Sequence, residues 1–275
     1  MRLTTKIVLS IITSIFLLSF GIIIALLINA KKNNYYENDF PRIISQENII
    51  SVDIEPYKTI WIDEEENLKD IQIYPAGTLL LKPAIREEEK NKLFLPEELL
   101  PFTTIVSSND TLIIRLKLEG LHKQYVPTKQ MNKHIIHVLD GVNFVMHPNT
   151  LDVISNINGI KIDIRNMKTD RIDICTFGEV NIDSCQVDRI NPDMRRGRIF
   201  LLKNSQVKEL NIDLDQMGSS WIVENCDIEV ENRTGSGNHR ADLPKGAAKI
   251  VNWIPKNKDA RLAVTLYGDT VRIVY

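Results

Sequence analysis

The residues of this chain best suited to covalent chemistry are three cysteines, Cys175, Cys185 and Cys226. Thiols can form disulfides, ligate metals or act as nucleophiles. Cys185 and Cys226 hold the same position of a repeat described below, two units apart, whereas Cys175 holds a different one. If the units stack at the spacing of β-strands, those two thiols lie roughly 9–10 Å apart, and a disulfide requires Cα atoms within about 7 Å. We therefore expect three free thiols that act as small core residues.

Histidines are the next candidates, because His134, His137 and His147 surround one short apolar segment. A zinc site needs ligands that converge on one point. On a strand, residues three apart point to opposite faces, so His134 and His137 cannot converge. The HExxH pattern of zinc proteases is absent. The sequence predicts no metal site here.

Carboxylates recur in the second half of the chain and could support catalysis. The candidates are Asp163, Asp173, Asp183, Asp213 and Asp215. Enzymes that cleave polysaccharides can place paired carboxylates on an outer face of a β-solenoid, sometimes with calcium. Here the acids alternate with isoleucine and leucine, which is typical of a solvated strand face, although some lie one repeat apart and could bind a cation. We expect no catalytic role for them.

An arginine cluster lies in the segment DRINPDMRRGR, which is typical of a corner loop. Its members are Arg189, Arg195, Arg196 and Arg198. The cluster could bind an anionic glycan or headgroup, but a solvated loop is the simpler interpretation. The GxSxG, Walker A and GxGxxG motifs are absent from the sequence. The sequence therefore predicts no catalytic, cofactor-binding or metal-binding residue, and it leaves any binding surface unassigned.

Composition excludes several classes of protein. The chain has 275 residues, a formal net charge of −2, 43% hydrophobic residues and 25% charged residues. It is too apolar to be disordered, and three cysteines cannot staple a disulfide-rich scaffold of this length. A pI near 6.2 gives no electrostatic footprint for nucleic acid, so we expect no nucleic-acid partner.

The N-terminal residues 1–30 predict a signal anchor. Residues 7–30 are 24 consecutive residues without a charge. As a helix they span roughly 36 Å, enough for a hydrocarbon core of about 30 Å, and the segment is longer than the core of a cleavable signal peptide. A signal peptide with an unusually long core is the alternative. Basic residues flank the two ends of this segment almost equally, so charge does not decide its orientation in the membrane. An apolar segment that begins after only six residues behaves as an export signal. We therefore expect a short cytoplasmic N-terminus and an exported, periplasmic or extracellular C-terminal domain.

The rest of the chain predicts a juxtamembrane linker, residues 31–42, and a β-rich domain, residues 43–275. Period-two alternation predicts strands at 59–62 and 70–74. Two hairpins are expected, one over 103–118 with an Asn-Asp turn, the other over 262–275 with a Gly-Asp turn. Residues 87–92 predict an exposed loop or short helix. No segment after residue 30 has a long helical period.

A repeat lies between residues 159 and 230. Its equivalent positions, spaced by 18, 20 and 21 residues, are Met167, Cys185, Ser205 and Cys226. Apolar residues recur five residues and three residues before each of these positions. An apolar residue also lies two residues after Cys185, Ser205 and Cys226. The residue immediately before each is Asn166, Ser184, Asn204 and Asn225. A glycine opens each unit: Gly159, Gly178, Gly197 and Gly218.

Position-specific equivalence of this kind predicts a single-stranded parallel β-solenoid (β-helix) with coils over about residues 144–233. Alternate apolar residues then line the bore, and the glycine and asparagine positions serve corners that need positive φ. One coil cannot bury its own apolar face, so several must stack. An antiparallel sandwich is the competing fold. Glu231 replaces an apolar residue of the repeat, which we interpret as the approach to a cap.

The register makes a sharp prediction at Val207. It should point into the bore between Val187 and Ile228, while Gln206 and Lys208 point outward. The predicted fold class is thus all-β: a β-solenoid ectodomain preceded by one transmembrane helix.

Units such as VNIDSCQVDRI, FLLKNSQVKELNID and WIVENCDIEVEN resemble the candidate auto-transporter adhesin head domain family, the GIN domain. The resemblance covers about residues 57–275 and includes the TIWI strand and the NDTLIIRL hairpin. It implies an exported β-solenoid of the cell envelope with an adhesin-like role. An uncleaved anchor is a departure from the family, whose members usually begin with a cleaved or lipidated signal.

These features favour a non-enzymatic, membrane-anchored envelope protein whose solenoid mediates interaction or adhesion. Its expected partners are the membrane, through residues 7–30, and a protein or glycan ligand on the solenoid surface, with no cofactor. One alternative is a carbohydrate-active β-helix enzyme that uses surface carboxylates. Another is a structural or sensory ectodomain coupled to a membrane partner.

Overall fold

The structure is a computed structural model. It describes residues 13, 15–25, 28, 47–65, 72–75, 77–117, 120, 135–138, 143–148, 151–157, 159–195, 197, 199–217, 220–243, 248–266 and 272–274. The chain divides into two compact units, Met1–Phe40 and Pro41–Tyr275.

In the first unit, residues 13, 15–25 and 28 are helical, and the Ser19 hydroxyl donates a hydrogen bond to the Ile15 carbonyl at 2.9 Å. Within the ranges above, no helix combines the length and apolar character that crossing a membrane requires. Most of the predicted anchor, and all of the linker 31–42, lie outside the described residues. The anchor therefore stays a prediction.

The second unit is built from short strands, as predicted. They are β1 (Ile49–Asp53), β2 (Thr59–Glu64), β3 (Gln72–Pro75), β4 (Thr78–Leu81), β5 (Lys92–Pro96), β6 (Thr103–Ser108), β7 (Thr111–Leu116), β8 (Ile135–Val138), β9 (Asn143–Met146), β10 (Leu151–Ser155), β11 (Lys161–Arg165), β12 (Lys168–Thr176), β13 (Val180–Asp183), β14 (Gln186–Asp193), β15 (Ile199–Lys203), β16 (Gln206–Asp213), β17 (Ser220–Glu224), β18 (Asp227–Gly235), β19 (Asn238–Leu243), β20 (Ile250–Pro255), β21 (Arg261–Leu266) and β22 (Arg272–Val274). Two 3₁₀ helices, Glu87–Glu89 and Glu97–Phe102, interrupt them, the first within the loop expected at 87–92.

The strands form a β-solenoid with two principal sheets. Sheet A has the order β1-β5-β9-β4-β11-β13-β15-β17, and sheet B has the order β22-β20-β18-β16-β14-β12-β10-β2-β7-β6. From β11 to β18, each coil gives one strand to sheet A and the next to sheet B, and all neighbours pair in parallel. Strands β3 and β8 pair separately, as do β19 and β21.

The pairing register confirms the alignment of the repeat. In sheet A, Ile162 pairs with Val180, Val180 with Phe200, and Phe200 with Trp221. The first three are fully buried. In sheet B, Val187 pairs with Val207 and Val207 with Ile228. Burial of such a side chain contributes about 1.5–3 kcal/mol, so the stacked bore supplies the driving force for folding.

The corners between the sheets have the backbone conformation that the repeat predicts. Asn166, Ser184, Asn204 and Asn225 have φ of 56°, 57°, 49° and 53°. Asparagine tolerates this left-handed region better than most residues because its short side chain bonds locally. At Gly178 the requirement is space, because an added Cβ would lie 2.1 Å from the Ile160 carbonyl oxygen.

The first coils are threaded out of sequence order. Strand β2 lies between β7 and β10 in sheet B, and β4 lies between β9 and β11 in sheet A. The coil that contains β7 and β9 is therefore outermost in space although it comes later in the chain. Antiparallel strands β1, β5 and β6 cover this end of the stack.

One predicted hairpin is confirmed and one is wrong. Strands β6 and β7 pair antiparallel across Asn109 and Asp110, whose φ values are 49° and 61°. By contrast, β21 pairs in parallel with β19 and β22 pairs in parallel with β20, so they belong to different sheets. The local pattern of two strands around Gly-Asp does not distinguish a reversal from a solenoid corner, and the stacking partners decide the outcome.

Candidate functional site

The outer face of sheet B carries a hydrogen-bonded row of side chains, which we call the amide ladder. Its members are Asp173, Asn191, Asn211, Asn232 and Asn252. Each is half-buried, and they lie on the neighbouring sheet B strands β12, β14, β16, β18 and β20. Each asparagine Nδ2 donates to the Oδ1 of the preceding member, at 2.6, 2.7, 2.8 and 2.8 Å. Such a chain fixes the amides in one orientation.

Sequence reasoning missed this ladder, although a signal for it exists. The first four members all lie six residues after the reference positions of the repeat. The stack extends the polar row on the N-terminal side, where the Thr59 hydroxyl donates to Asp152 at 2.8 Å and Asp152 pairs in register with Asp173. Of the predicted acids, Asp173 is thus a ladder member, and Arg171 lies 2.5 Å from its carboxylate.

A second column of outward residues lies beside the amide ladder, two positions further along each strand. Trp61 pairs in register with Ile154, Ile154 with Cys175, and Cys175 with Asp193. Further along the stack, Asp213 pairs with Thr234 and Thr234 with Ile254. We call this set the neighbouring column. Trp61 is 36% exposed and Ile254 is 49% exposed.

A shallow depression of about 350 Å³ lies over both sets at the C-terminal end of the face. Its lining includes three ladder amides, Asn191, Asn211 and Asn232, together with the carboxylates of Asp193 and Asp213 and the side chain of Ile254. The amides are half-buried and fixed, so the depression presents ordered hydrogen-bonding groups to solvent.

Asp213 and Asp215 share one lysine. Lys256 Nζ lies 2.6 Å from Asp213 Oδ2 and 3.0 Å from Asp215 Oδ2. Asp215 also accepts hydrogen bonds from the Ser236 backbone N–H at 3.0 Å and lies 3.0 Å from His239 Nε2. The Ser236 N–H and the Lys256 ammonium hold the pKa of Asp215 well below its usual range. A general acid for glycoside cleavage needs a raised pKa, so Asp215 is unsuited to that role.

The other two predicted acids lie on the outer face of sheet A. Asp163 is buried, where Arg165 Nη2 lies 2.6 Å from its carboxylate and Asn181 Nδ2 donates to it at 2.9 Å. Asp183 accepts from Asn204 Nδ2 at 2.9 Å, and this bond is the main cause of a lowered pKa. A strand amide with an arginine thus engages Asp163, and a corner amide engages Asp183. In the part of the chain that the structure describes, no three His, Cys, Asp or Glu residues are placed to hold a metal ion.

The cysteines occupy three environments and form no disulfide. Cys185 is a core residue, and burial raises the pKa of its thiol to about 11. Cys226 is half-buried, and Ser205 lies between the two, with its Oγ accepting from the Cys185 N–H at 3.1 Å. Cys175 differs from the expectation of a core residue, because it lies in the outward column and its Sγ donates to Asp193 at 3.4 Å.

Of the candidate histidines and arginines, the structure describes the side chains of His147, Arg189 and Arg195, which lie in separate environments. His147 is buried, with Nδ1 3.0 Å from the Lys82 carbonyl oxygen, whereas His134 and the His137 side chain lie outside the described residues. Arg189 pairs with Glu209 at 2.9 Å. Arg195 lies over the Phe177 ring and donates to Asn156 at 3.1 Å. Arg196 and Arg198 are outside the described residues.

Two charged residues lie in the bore itself. Glu231 and Arg233 are 0% and 1% exposed, and Arg233 Nε lies 2.5 Å from Glu231 Oε1. Glu231 pairs in register with Leu210 on one side and Val251 on the other, so the stack continues past it and the interpretation as a cap is wrong. Burial raises the pKa of Glu231, and the Arg233 guanidinium stacks on Trp221 at 4.7 Å.

A larger depression of about 640 Å³ lies over the first residues of β12, β14, β16 and β18 in sheet B. Charges of both signs line it, including Lys208 and Asp188, which pair at 2.7 Å, and Asp227, which pairs with Lys249 at 2.8 Å. These side chains are largely exposed, and exposed ion pairs hold their geometry weakly. The amide ladder is the more ordered surface.

Comparison with known proteins places the chain near several solved structures at low identity. No family model and no curated protein matches the sequence. A candidate adhesin from Bacteroides fragilis is 13% identical with a TM-score of 0.43, over 84% of this chain and 99% of that one. A candidate lipid-binding protein from Parabacteroides distasonis is 11% identical with a TM-score of 0.36, over 85% and 100%. A candidate cell adhesion protein from Clostridium sporogenes is 11% identical with a TM-score of 0.24, over 82% and 97%.

Proposed function

We propose that this protein is a non-enzymatic cell-envelope protein, anchored in a membrane by residues 7–30, whose exported β-solenoid is an adhesin-like interaction domain. The 24-residue uncharged segment supports the anchor. The GIN-like repeat units support the adhesin-like role.

The observation that supports an interaction role most strongly is the amide ladder with its neighbouring column. The ladder side chains on consecutive coils are fixed by hydrogen bonds of 2.6–2.8 Å, so their geometry exists before any ligand binds. A pre-organised surface loses little conformational entropy on binding. Asp213 and Asp215 beside it are paired with Lys256, and Asp173 in the ladder is paired with Arg171, which favours recognition over acid–base catalysis by these carboxylates.

The experiment uses the full chain in lipid nanodiscs, immobilised on a sensor surface, with empty nanodiscs as the control. Bacterial envelope fragments are passed over it untreated, after protease treatment, and after periodate oxidation, which destroys vicinal diols. The same mixture is assayed for new reducing ends. We expect saturable retention above the control and no release of reducing ends.

Retention equal to that of empty nanodiscs would contradict an interaction role, and release of reducing ends would indicate the carbohydrate-active alternative. Anchoring is tested separately by N-terminal sequencing of the membrane fraction. The proposal expects a chain that retains residues 1–30, and a mature N-terminus after Ala30 would overturn the anchor.

A further inference from the structure

The outer face of sheet B combines two sets of groups that run parallel to the solenoid axis. The amide ladder forms one line, and the neighbouring column from Trp61 to Ile254 forms the other. From β2 to β20 there are six strand spacings, or roughly 29 Å at about 4.8 Å each. The surface is therefore long and narrow.

Each ladder asparagine has hydrogen-bonding capacity beyond the ladder itself. A primary amide has two N–H donors and a carbonyl oxygen with two lone pairs. In the ladder, one donor and one lone pair of each internal amide engage its neighbours, and Asn232 Nδ2 also donates to Glu209 Oε1 at 3.1 Å. The second lone pair of each amide oxygen repeats at the strand spacing, so the face offers acceptors at a regular interval, with N–H donors among them. Hydroxyl groups, which both donate and accept, match that pattern.

The neighbouring column supplies apolar contacts at both ends. Trp61 is exposed at one end, next to Ile154, and an indole face can stack on the apolar face of a sugar ring. Ile254 is exposed at the other end, in the depression that the amides line. Asp193 and Asp213 border the same depression, and their carboxylates disfavour an anionic ligand.

We infer that this face binds a neutral linear glycan, laid along the solenoid axis over the amide ladder and the neighbouring column. The inference rests on the proposed interaction function and specifies its ligand class and surface. A protein ligand would need a contiguous apolar centre. Here the apolar side chains that adjoin Trp61 in register, Ile113 and Val106, lie at one end of the face, whereas the middle of the column carries Asp193, Asp213 and Thr234.

The test measures binding of neutral hexasaccharides to the full chain by isothermal titration, in a detergent without a sugar headgroup. The probes are cellohexaose, chitohexaose, xylohexaose and mannohexaose, with hexagalacturonate as the anionic comparison. We expect at least one neutral probe to bind, and Trp61→Ala and Asn211→Ala to weaken it about tenfold, because aromatic anchors and fixed polar groups dominate such contacts. Ile254→Ser should weaken it severalfold.

Sheet A offers matched controls. Asn181 is a half-buried amide bonded to Asp163, and Ile222 is 41% exposed on β17. Asn181→Ala and Ile222→Ser should leave the affinity within about twofold of the unmodified chain. Thermal melts of every variant establish that it is folded, and Ile254→Ser tests the face without touching the ladder.

Three outcomes would overturn the inference: no neutral probe binds, hexagalacturonate binds most tightly, or the sheet A variants weaken binding as much as the sheet B variants. If envelope retention survives periodate but not protease while no hexasaccharide binds, the ligand is a protein. The proposed interaction function then stands and the glycan inference falls.

Discussion

Val207 tests the inward and outward positions one residue at a time. It is 2% exposed between Val187 and Ile228, whereas Lys208 is exposed. Val207→Asp buries an unpaired charge and should cost several kcal/mol, and Val207→Ala should cost about 1–3 kcal/mol through lost packing. Lys208→Ala should change stability by less than about 0.5 kcal/mol. Alanine is the suitable control, because aspartate would face Asp188. Urea denaturation gives the ranking, and equal losses at the two positions would mean that the inward face is misassigned.

The buried Glu231–Arg233 pair predicts the effect of removing charges from the bore. One oxygen of Glu231, Oε2, and one nitrogen of Arg233, Nη1, are buried without a hydrogen-bond partner. Breaking a buried pair leaves an uncompensated charge, so Glu231→Leu should cost about 3–5 kcal/mol. The double change Glu231→Leu with Arg233→Met restores an apolar column and should equal or exceed the stability of the unmodified chain. A double-mutant cycle by chemical denaturation measures this. Additive losses in the double variant would contradict the account.

Asp215 predicts a pH dependence of stability. Its folded-state pKa is lowered mainly by the Ser236 N–H and the Lys256 ammonium. The stabilisation is therefore present above its unfolded pKa of about 3.9 and is lost as pH falls below that value. We expect the gap in melting temperature between the unmodified chain and Asp215→Asn to be largest near neutrality and to shrink below about pH 4. The exposed Asp259→Asn is the control, with no gap expected. A gap of constant size across the acid range would rule out this role.

Residue roles were predictable where the repeat defines them. Val207, its two neighbours in the stack and the corner asparagines all lie where the alignment puts them. Glu231 was misread because a charged residue in an apolar column indicates an end of the stack when only sequence is available. Its partner two residues along the same strand, Arg233, makes a buried position tolerable, and only the structure shows that both point inward.

The corners between the two sheets depend on a left-handed backbone conformation, which can be tested at Asn204. Asn204 has a φ of 49°, and its side chain donates to Asp183 and accepts from Asn225 Nδ2. Asn204→Ala should cost about 1–2 kcal/mol, because alanine resists the left-handed region and loses both bonds. Asn204→Gly should cost less, since glycine adopts this backbone freely. Thermal melts of the pair decide the point, with Asn181→Ala as an amide control on a strand of normal φ. An equal cost for alanine and glycine would show that the backbone conformation does not matter.

Element order was less predictable than element type. Alternation and turn residues gave the β6–β7 hairpin, because both its strands and its turn are local. The pairing of β21 with β19 and the insertion of β2 between β7 and β10 depend on partners far along the chain. Nothing in the local pattern of those strands specifies such neighbours. The amide ladder was partly predictable. The recurrence of its residues six positions after the reference positions is visible in the sequence, but its hydrogen bonds can be predicted only once the pairing register of the strands is known.

The whole molecule depends on coils that stack in a fixed register, and the binding face exists only if they do. Deleting residues 187–206 removes one coil, β14 with β15, and joins Gln186 to Val207 in the register that Gln206 occupies. In a stacked array, stability is roughly a sum over units and their interfaces, so loss of one whole unit leaves a foldable stack. The matched control deletes 197–206, which removes β15 and the first residue of β16 but keeps β14, so that β14 has no following strand in sheet A.

Cooperative thermal unfolding of the two deletion proteins, followed by far-ultraviolet circular dichroism, is the most direct measurement of this claim. The account predicts that the chain lacking 187–206 keeps a β spectrum and one cooperative transition at a lower temperature, while the chain lacking 197–206 loses the transition. If the half-coil deletion unfolds as cooperatively as the whole-coil deletion, or if neither folds, the coil register described for this protein is contradicted.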